Sequence, residues 1–377
     1  MRVCHVTYEY PPHIYGGLGR HVAELTSSLH TAGAEVAVAT VAHPRQRRRS
    51  RHDGIDVYRV NGVPVIGDGT PWRDAVRAFD DGLSPVLDEA ATTADVIHAH
   101  DWFAQRTVLD HCRRRGTPLV VTVHATERGR HQGWLPDALN REIDAAERQL
   151  ASAADRVVVC SDWMAEHVVQ IWELEPSRVR VVPNGVTPAA WPEARGGTPE
   201  YRVPVVLFAG RLEHEKGGQV LIDALAALKV RGTAAPAAFA GDGSQRVAWH
   251  EHAKTVGVVV AFLGRLGQKD LSSLYRRAGV VVVPSLFEPY GMVAAEAMAA
   301  GAAVVASEVG GLADVVGSGG ALVPPGDAGR LAAAIEPLLT DDAAAERARA
   351  AARARAAELP SWQDAASATL AIYSDVV

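Results

Sequence analysis

Two glutamates eight positions apart, Glu288 and Glu296, bracket a stretch with almost no other polar residue, EPYGMVAAEAMAAG. Gly291 reads as the entry to a helix. Glu288 then lies in the preceding loop, at the positive end of the helix dipole, and Glu296 lies inside a helix too apolar for the surface. A buried carboxylate without a partner is costly, so Glu296 is expected to hold a ligand hydroxyl or a cation. An internal salt bridge is the structural alternative. Upstream, the run LFAGRLEHEKGG reads as a strand, then Gly210-Arg211, then Lys216-Gly217 at a helix start. A planar guanidinium and a point-charged ammonium at the carboxyl end of a strand suit a diphosphate. Lysine occurs only at 216, 229, 254 and 269, every other basic side chain besides histidine being arginine, which sets Lys216 apart.

Near the start, Gly16-Gly17-Leu18-Gly19 follows a first strand that ends at Tyr8. Paired glycines opening a helix let backbone approach a phosphate, whose charge the helix N-terminus favours. The same glycines also make an unliganded turn, and spacing alone does not separate the two readings. The dinucleotide fingerprint is missing, because Val22 stands where its third small residue would be, and this argues against a nicotinamide dehydrogenase. His98-Ala99-His100-Asp101-Trp102 closes one strand-like run, and His124 closes the next. His98 and His100 share a strand face, but no third ligand stands at a metal-site spacing. No Asp-x-Asp carboxylate pair is present to hold a metal on a diphosphate. A metal centre is therefore the disfavoured reading, and His124 is of interest because it ends a strand at the ligand-binding edge.

These residues need strands to carry them. Val-rich runs recur at 2–8, 35–42, 55–60, 95–98, 118–123, 156–160 and 178–182, with helical stretches such as 18–32, 103–115 and 137–153 between them. A second series runs at 203–209, 236–240, 258–263, 279–283, 302–306 and 320–323. Strands alternating with helices imply parallel βαβ units, and nearly unbroken apolar strands imply sheets covered on both faces. The expectation is an α/β protein of two Rossmann-like parallel-sheet domains facing across a cleft at the strands' carboxyl ends. Prolines and glycines between 187 and 202 mark a linker. The domains are expected at 1–195 and 196–360, with a last helix at 361–377, after Pro360, packing back on the first. The arginine-rich run at 45–51 is read as a solvated loop, in preference to a contact with acidic lipid or an anionic acceptor.

Composition sets the class. At 377 residues, with 48% hydrophobic and 22% charged residues, the chain exceeds one hydrophobic core and has an ordinary globular balance. No run reaches the length of a membrane span, and the N-terminus reads as a strand rather than a signal peptide, so a cytoplasmic address is expected. The net charge of −6 excludes a generally basic nucleic-acid binder. An anionic ligand must therefore be met by locally placed cations. The three cysteines form no CxxC, and Cys4 and Cys160 are expected as buried free thiols.

The Glu288–Glu296 segment resembles the E-x7-E signature of the retaining glycosyltransferases of family 4, which have the GT-B fold, and GRLEHEKG resembles their diphosphate-binding segment. The likeness continues in order through EYPPHIYGGLGRHV, DVIHAHDW, VVTVHATE, VVVCSDWM, VVPNGV, AGDGS, VAFLGRL and GGLADVV, almost the whole chain. It implies transfer of a sugar from a nucleotide diphosphate (UDP-, GDP- or ADP-linked) to an acceptor hydroxyl, with retention and without metal or other cofactor. By the same likeness, Gly16 and Gly17 approach the diphosphate, and Arg211 and Lys216 neutralise it. Glu296 holds ribose hydroxyls and Glu288 sugar hydroxyls, with backbone at Gly291, Met292 and Val293 assisting. Leu263 and Leu266 line the base, His124 contacts the donor sugar near the reacting carbon, and Asp101 and Trp102 lie on the acceptor side. Loops 61–72 and 125–136 are where acceptor choice is expected. Thr187 departs from the family's usual Asp after Asn184-Gly185-Val186, which touches hinge or capping detail.

Two rivals remain in view. An epimerase of nucleotide sugars on the same architecture would convert the donor without an acceptor. A non-catalytic sensor of nucleotide sugars would need a broken charged site, yet every expected charge is present.

Overall fold

The computed structural model describes residues 1–14, 16–64, 71–187, 191 and 205–377. It divides into two compact units, Met1–Gly185 with Ser361–Val377, and Val186–Pro360. Most of the expected linker at 187–202, and the centre of loop 61–72, fall outside the described residues.

The first unit is built on strands β1 (Arg2–Val6), β2 (Glu35–Val41), β3 (Arg49–His52), β4 (Ile55–Val60), β5 (Val96–His100), β6 (Leu119–Val123), β7 (Arg156–Val159) and β8 (Val179–Val181). Their order across the sheet is β3-β4-β2-β1-β5-β6-β7-β8. Every pairing is parallel except β3 with β4. Helices α1 (Gly17–Thr31), α2 (Trp72–Ala90), α3 (Gln105–Arg115), the short α4 (Glu127–Arg130), α5 (Ala138–Ala153) and α6 (Asp162–Trp172) alternate with the strands. Capping follows the sequence: Ser161 accepts from the Met164 N–H, and Asp137 with Asn140 forms a reciprocal capping box.

The arginine-rich run corrects the sequence reading in part. Arg49–His52 forms an antiparallel edge strand rather than a loop. Arg48 pairs with Glu89 at 3.3 Å, and Arg49 lies 3.8 Å from Asp56 and over the Tyr58 ring. Charged side chains on an edge strand also discourage pairing with another chain.

The second unit has β9 (Val206–Ala209), β10 (Ala237–Ala240), β11 (Val260–Gly264), β12 (Val280–Val283), β13 (Val304–Ser307) and β14 (Ala321–Val323), in the all-parallel order β11-β10-β9-β12-β13-β14. That order reverses direction between β9 and β12, the switch point at which open α/β sheets bind ligands. In the first unit the reversal lies between β1 and β5. The helices of the second unit are α7 (Gly218–Val230), α8 (Arg246–Val256), α9 (Gln268–Arg277), α10 (Met292–Ala299), α11 (Gly310–Val316), α12 (Ala328–Thr340) and α13 (Asp342–Glu358). Phe208 and Phe239 stack at 4.8 Å under Trp249, which meets both edge-on, and Leu221, Leu225 and Ile335 close this core.

After α13 the chain returns to the first unit. Ser361 and Asp364 form a capping box that starts α14 (Trp362–Ser374), which packs on α1. Gly185 faces the Trp362 backbone so closely that any side chain there would collide with it. Trp362 and Tyr373 are buried, and the Tyr373 hydroxyl lies 2.6 Å from His98 Nδ1 on β5. Cys4 and Cys160 are buried, and none of the three cysteines is in a disulfide; burial pushes the Cys4 thiol up to about 12. No described helix is long and apolar enough to cross a membrane.

Tyr373→Phe keeps the ring but strands His98 Nδ1 without a partner. Thermal unfolding should register a loss of about 1–3 kcal/mol. A change within error would mean that this bond does not secure α14.

Candidate active site

In the second unit the loops after β9 and β12, the two strands flanking the switch point, carry the expected charges. Beyond β9 the chain runs through Arg211 to a single 3-10 turn, His214–Lys216, which Gly217 ends in the left-handed region at φ 66°. A side chain at 217 would strike the Pro284 carbonyl in the loop after β12. Glycine therefore lets the two loops touch and sets Lys216 against the second one. The Glu215 carbonyl accepts from the Leu286 and Phe287 N–H groups, at 2.8 and 3.3 Å, and binds the loops together from the other side.

Across this seam Lys216 Nζ donates to Glu288 Oε2 at 2.8 Å, and Ser285 Oγ donates to the same oxygen at 3.3 Å. Arg211 donates to Glu215 at 2.7 Å while leaving half its side chain exposed. Glu288 lies in the loop and α10 starts at Met292 after Gly291, as the sequence implied. The N–H groups of that first turn have no partner within the helix and point its positive end outward. Glu296 is 4% exposed inside α10, with Tyr275 donating to it at 3.5 Å. On the far edge of the sheet Leu263 is exposed on β11 and Leu266 half-buried just beyond it. The second unit thus places Arg211, Lys216, Glu288, Glu296 and the start of α10 around one switch point, with Leu263 on the edge strand β11, two strands from β9, and Leu266 just beyond it.

The first unit gathers a different chemistry. His124, directly after β6, is partly buried; its N–H donates to Asp101 Oδ1 at 2.8 Å, and its Nε2 lies 3.2 Å from His100 Nδ1. The contacts continue inward, His100 Nε2 to His5 Nδ1 at 3.0 Å, while His98 bridges Thr122 and Tyr373. His21 on α1 packs edge-on to His124 at 4.6 Å and donates to Asn184 Oδ1 at 2.8 Å. Burial holds all five imidazoles neutral: His5 and His124 fall to about 3, and His21, His98 and His100 fall well below the usual range. Burial has the opposite effect on the carboxyls, raising Asp101 to about 6 and Glu147 to about 8 against the attraction of Arg130.

Sequence reasoning placed His98, His100 and His124 but missed His5 and His21, which come from β1 and α1. It also missed Trp72, which is 40% exposed and meets Trp102 edge-on at 6.0 Å. Among the paired glycines, the Gly16 N–H donates to the Glu9 carboxylate at 3.0 Å, while Gly17 stays exposed with open space above it.

The chain is similar to known proteins along nearly its whole length. Residues 15–190 match the family described as Glycosyltransferase Family 4, and residues 194–355 match Glycosyl transferases group 1. A glycogen synthase of Mycobacterium tuberculosis is 36% identical over 99% of this chain and 94% of its own. The chain belongs to glycosyltransferase family 4. As a glycosyltransferase it has the GT-B fold, seen in a sucrose-phosphate synthase from Thermosynechococcus elongatus (TM-score 0.83, 24% identity, 99% of this chain and 98% of that one). HepE from Anabaena, solved in complex with UDP-glucose, is similar at TM-score 0.76 and 22% identity over the whole of both chains.

The glycosyltransferase should lose stability in acid. A histidine in the unfolded chain protonates near 6.5, whereas these five resist until far lower, so the unfolded state binds more protons and stability falls as pH drops. Asp101 and Glu147 act in the opposite sense, favouring the folded state at low pH and losing that contribution as pH rises through about 6 and 8. Five imidazoles outweigh two carboxyls, so the melting temperature should fall between pH 7 and pH 5. A midpoint that holds or rises would show that the histidines are not buried as a neutral group.

Proposed function

We propose that this enzyme is a hexosyltransferase that moves a sugar from a nucleotide diphosphate to an acceptor hydroxyl, retaining the anomeric configuration and forming an α-glycosidic bond without a metal ion. The observation that carries the reading is the pairing of Lys216 with Glu288 beside the first turn of α10. A cation, a carboxylate and a helix N-terminus at a switch point suit a ligand with a diphosphate at one end and hydroxyls at the other.

In this assignment the second unit binds the donor. Lys216 turns from Glu288 to the diphosphate, Arg211 joins it, and the N–H of Gly17 assists. Glu288, once released, takes sugar hydroxyls together with the backbone of Gly291, Met292 and Val293. Glu296, fixed in α10, takes the ribose hydroxyls, and Leu263 and Leu266 flank the base. The first unit serves the acceptor, with Asp101 and Trp102 and the neighbouring Trp72 offering a carboxyl and aromatic faces to a saccharide. His124 is assigned to the donor sugar near the reacting carbon. A neutral imidazole there can hydrogen-bond a hydroxyl without adding charge. The similarity to a glycogen synthase favours a saccharide acceptor, and HepE's complex with UDP-glucose makes that donor the first to test.

The step requires no protein nucleophile. The acceptor oxygen bonds to the anomeric carbon on the face the diphosphate leaves, the carbon–oxygen bond to the diphosphate breaks, and a phosphate oxygen of the donor takes the acceptor's proton. Charge building on the leaving group is met by Arg211, Lys216 and the α10 dipole, the task a metal performs elsewhere.

A panel of UDP-, GDP- and ADP-linked sugars should yield one that shifts the melting temperature and is consumed only when a saccharide acceptor is present. Proton NMR of the product should show an α-anomeric signal, and EDTA should leave the rate intact. A β-linked product, a strict need for divalent metal, or conversion of the donor with no acceptor would each overturn this reading, the last in favour of an epimerase.

A further inference from the structure

We propose that His21, His100 and His124 form a binding site in the first unit for a divalent transition-metal ion of the zinc class. One ring nitrogen from each lies within 4.8 Å of the other two. His100 Nδ1 and His124 Nε2 stand 3.2 Å apart. Two nitrogens at the usual zinc–imidazole bond length on a tetrahedral ion are separated by about 3.3 Å, so this edge of the polyhedron already exists.

His21 supplies the independent observation. The ring is 4% exposed and its Nδ1–H donates to Asn184 Oδ1, which leaves a lone pair on Nε2. That atom is buried and has no hydrogen-bond partner. An unmet buried acceptor is costly, and a metal ion is the ligand that a bare imidazole lone pair binds best. The outer contacts follow the pattern of metal-bound histidines. Asn184 fixes the His21 tautomer, and His5 Nδ1 holds His100 Nε2 at 3.0 Å, leaving His100 Nδ1 facing His124.

A second trio, His5, His98 and His100, is equally compact. It is unsuited, because His98 uses both nitrogens on Tyr373 and Thr122 and all three rings are sealed from solvent. The chosen trio opens outward through His124, which is only partly buried. Three neutral imidazoles with no carboxylate select zinc, nickel or copper over magnesium or calcium. Three protein ligands leave a fourth position for solvent. The trio carries no negative charge, and Arg130 adds a positive one within range of His124, so the ion should yield readily to a chelator. One consequence rests on the function proposed above: an ion on His124 removes that ring from the donor sugar, and zinc should inhibit transfer.

The test is equilibrium dialysis of the chelator-stripped full chain against Zn2+ or Mg2+, with metal counted per chain. The expected result is one Zn2+ per chain, no Mg2+, and at least tenfold weaker Zn2+ binding in His21→Ala and in His124→Ala. His124 is partly exposed, so its truncation opens no sealed cavity, and His52→Ala on the exposed edge strand should bind as the native chain does. Co2+ on the native chain should give the visible absorption of a four-coordinate site with three imidazole ligands, a readout that needs no variant. Failure to bind Zn2+, or equal binding by the native chain and both variants, would overturn the site. Zinc bound at this site with transfer unimpaired would uphold the site and instead refute the role given to His124.

Discussion

The contact between Lys216 and Glu288 is the interaction on which the second unit's site depends. Opposite charges 2.8 Å apart and mostly withdrawn from water would be replaceable by apolar side chains if stability were their only purpose. Here they join the loops after β9 and β12 across the switch point, and they can do so only because Gly217 lets one loop touch the carbonyl of Pro284 in the other. Each partner satisfies the other while the site is empty. In the function proposed, a diphosphate would take the place of Glu288 beside Lys216 and sugar hydroxyls would hydrogen-bond Glu288 in place of Lys216, so neither buried group would be left without a partner.

The first unit answers a different constraint. Its switch point is filled by imidazoles that burial keeps neutral, so hydrogen-bonding capacity is packed there without net charge. The network reaches α14 through Tyr373 and His98, and so the segment that returns from the second unit helps to hold the strand carrying His100. One group of rings thus links the position of the last helix to the position of His124.

Much of this was legible in the sequence. Short apolar runs, many of them rich in valine, marked the strands other than β3, because a strand covered on both faces must be apolar along its length. The placement of Glu288 before α10 and Glu296 inside it followed from Gly291 and the small residues around it. The edge strand β3 was not legible: its residues Arg49, Ser50, Arg51 and His52 are polar, and only pairing with β4 makes them a strand. The histidine cluster was hidden for another reason. His5, His21, His100 and His124 come from separate elements, and only the β1–β5–β6 adjacency brings them together, which no local spacing reveals. Glu9 was likewise unseen as the partner of the Gly16 N–H, because that contact depends on how the loop folds back.

The central claim is that Lys216 serves a diphosphate and is more than a tie to Glu288. Its most direct test is calorimetric titration of the native chain and of Lys216→Met with a nucleoside diphosphate, with Lys269→Met on α9 as the control. The account predicts binding weakened by at least about tenfold in Lys216→Met, consistent with truncating one partner of a buried charge pair, and unchanged in the control. Equal affinity in the native chain and Lys216→Met would contradict it.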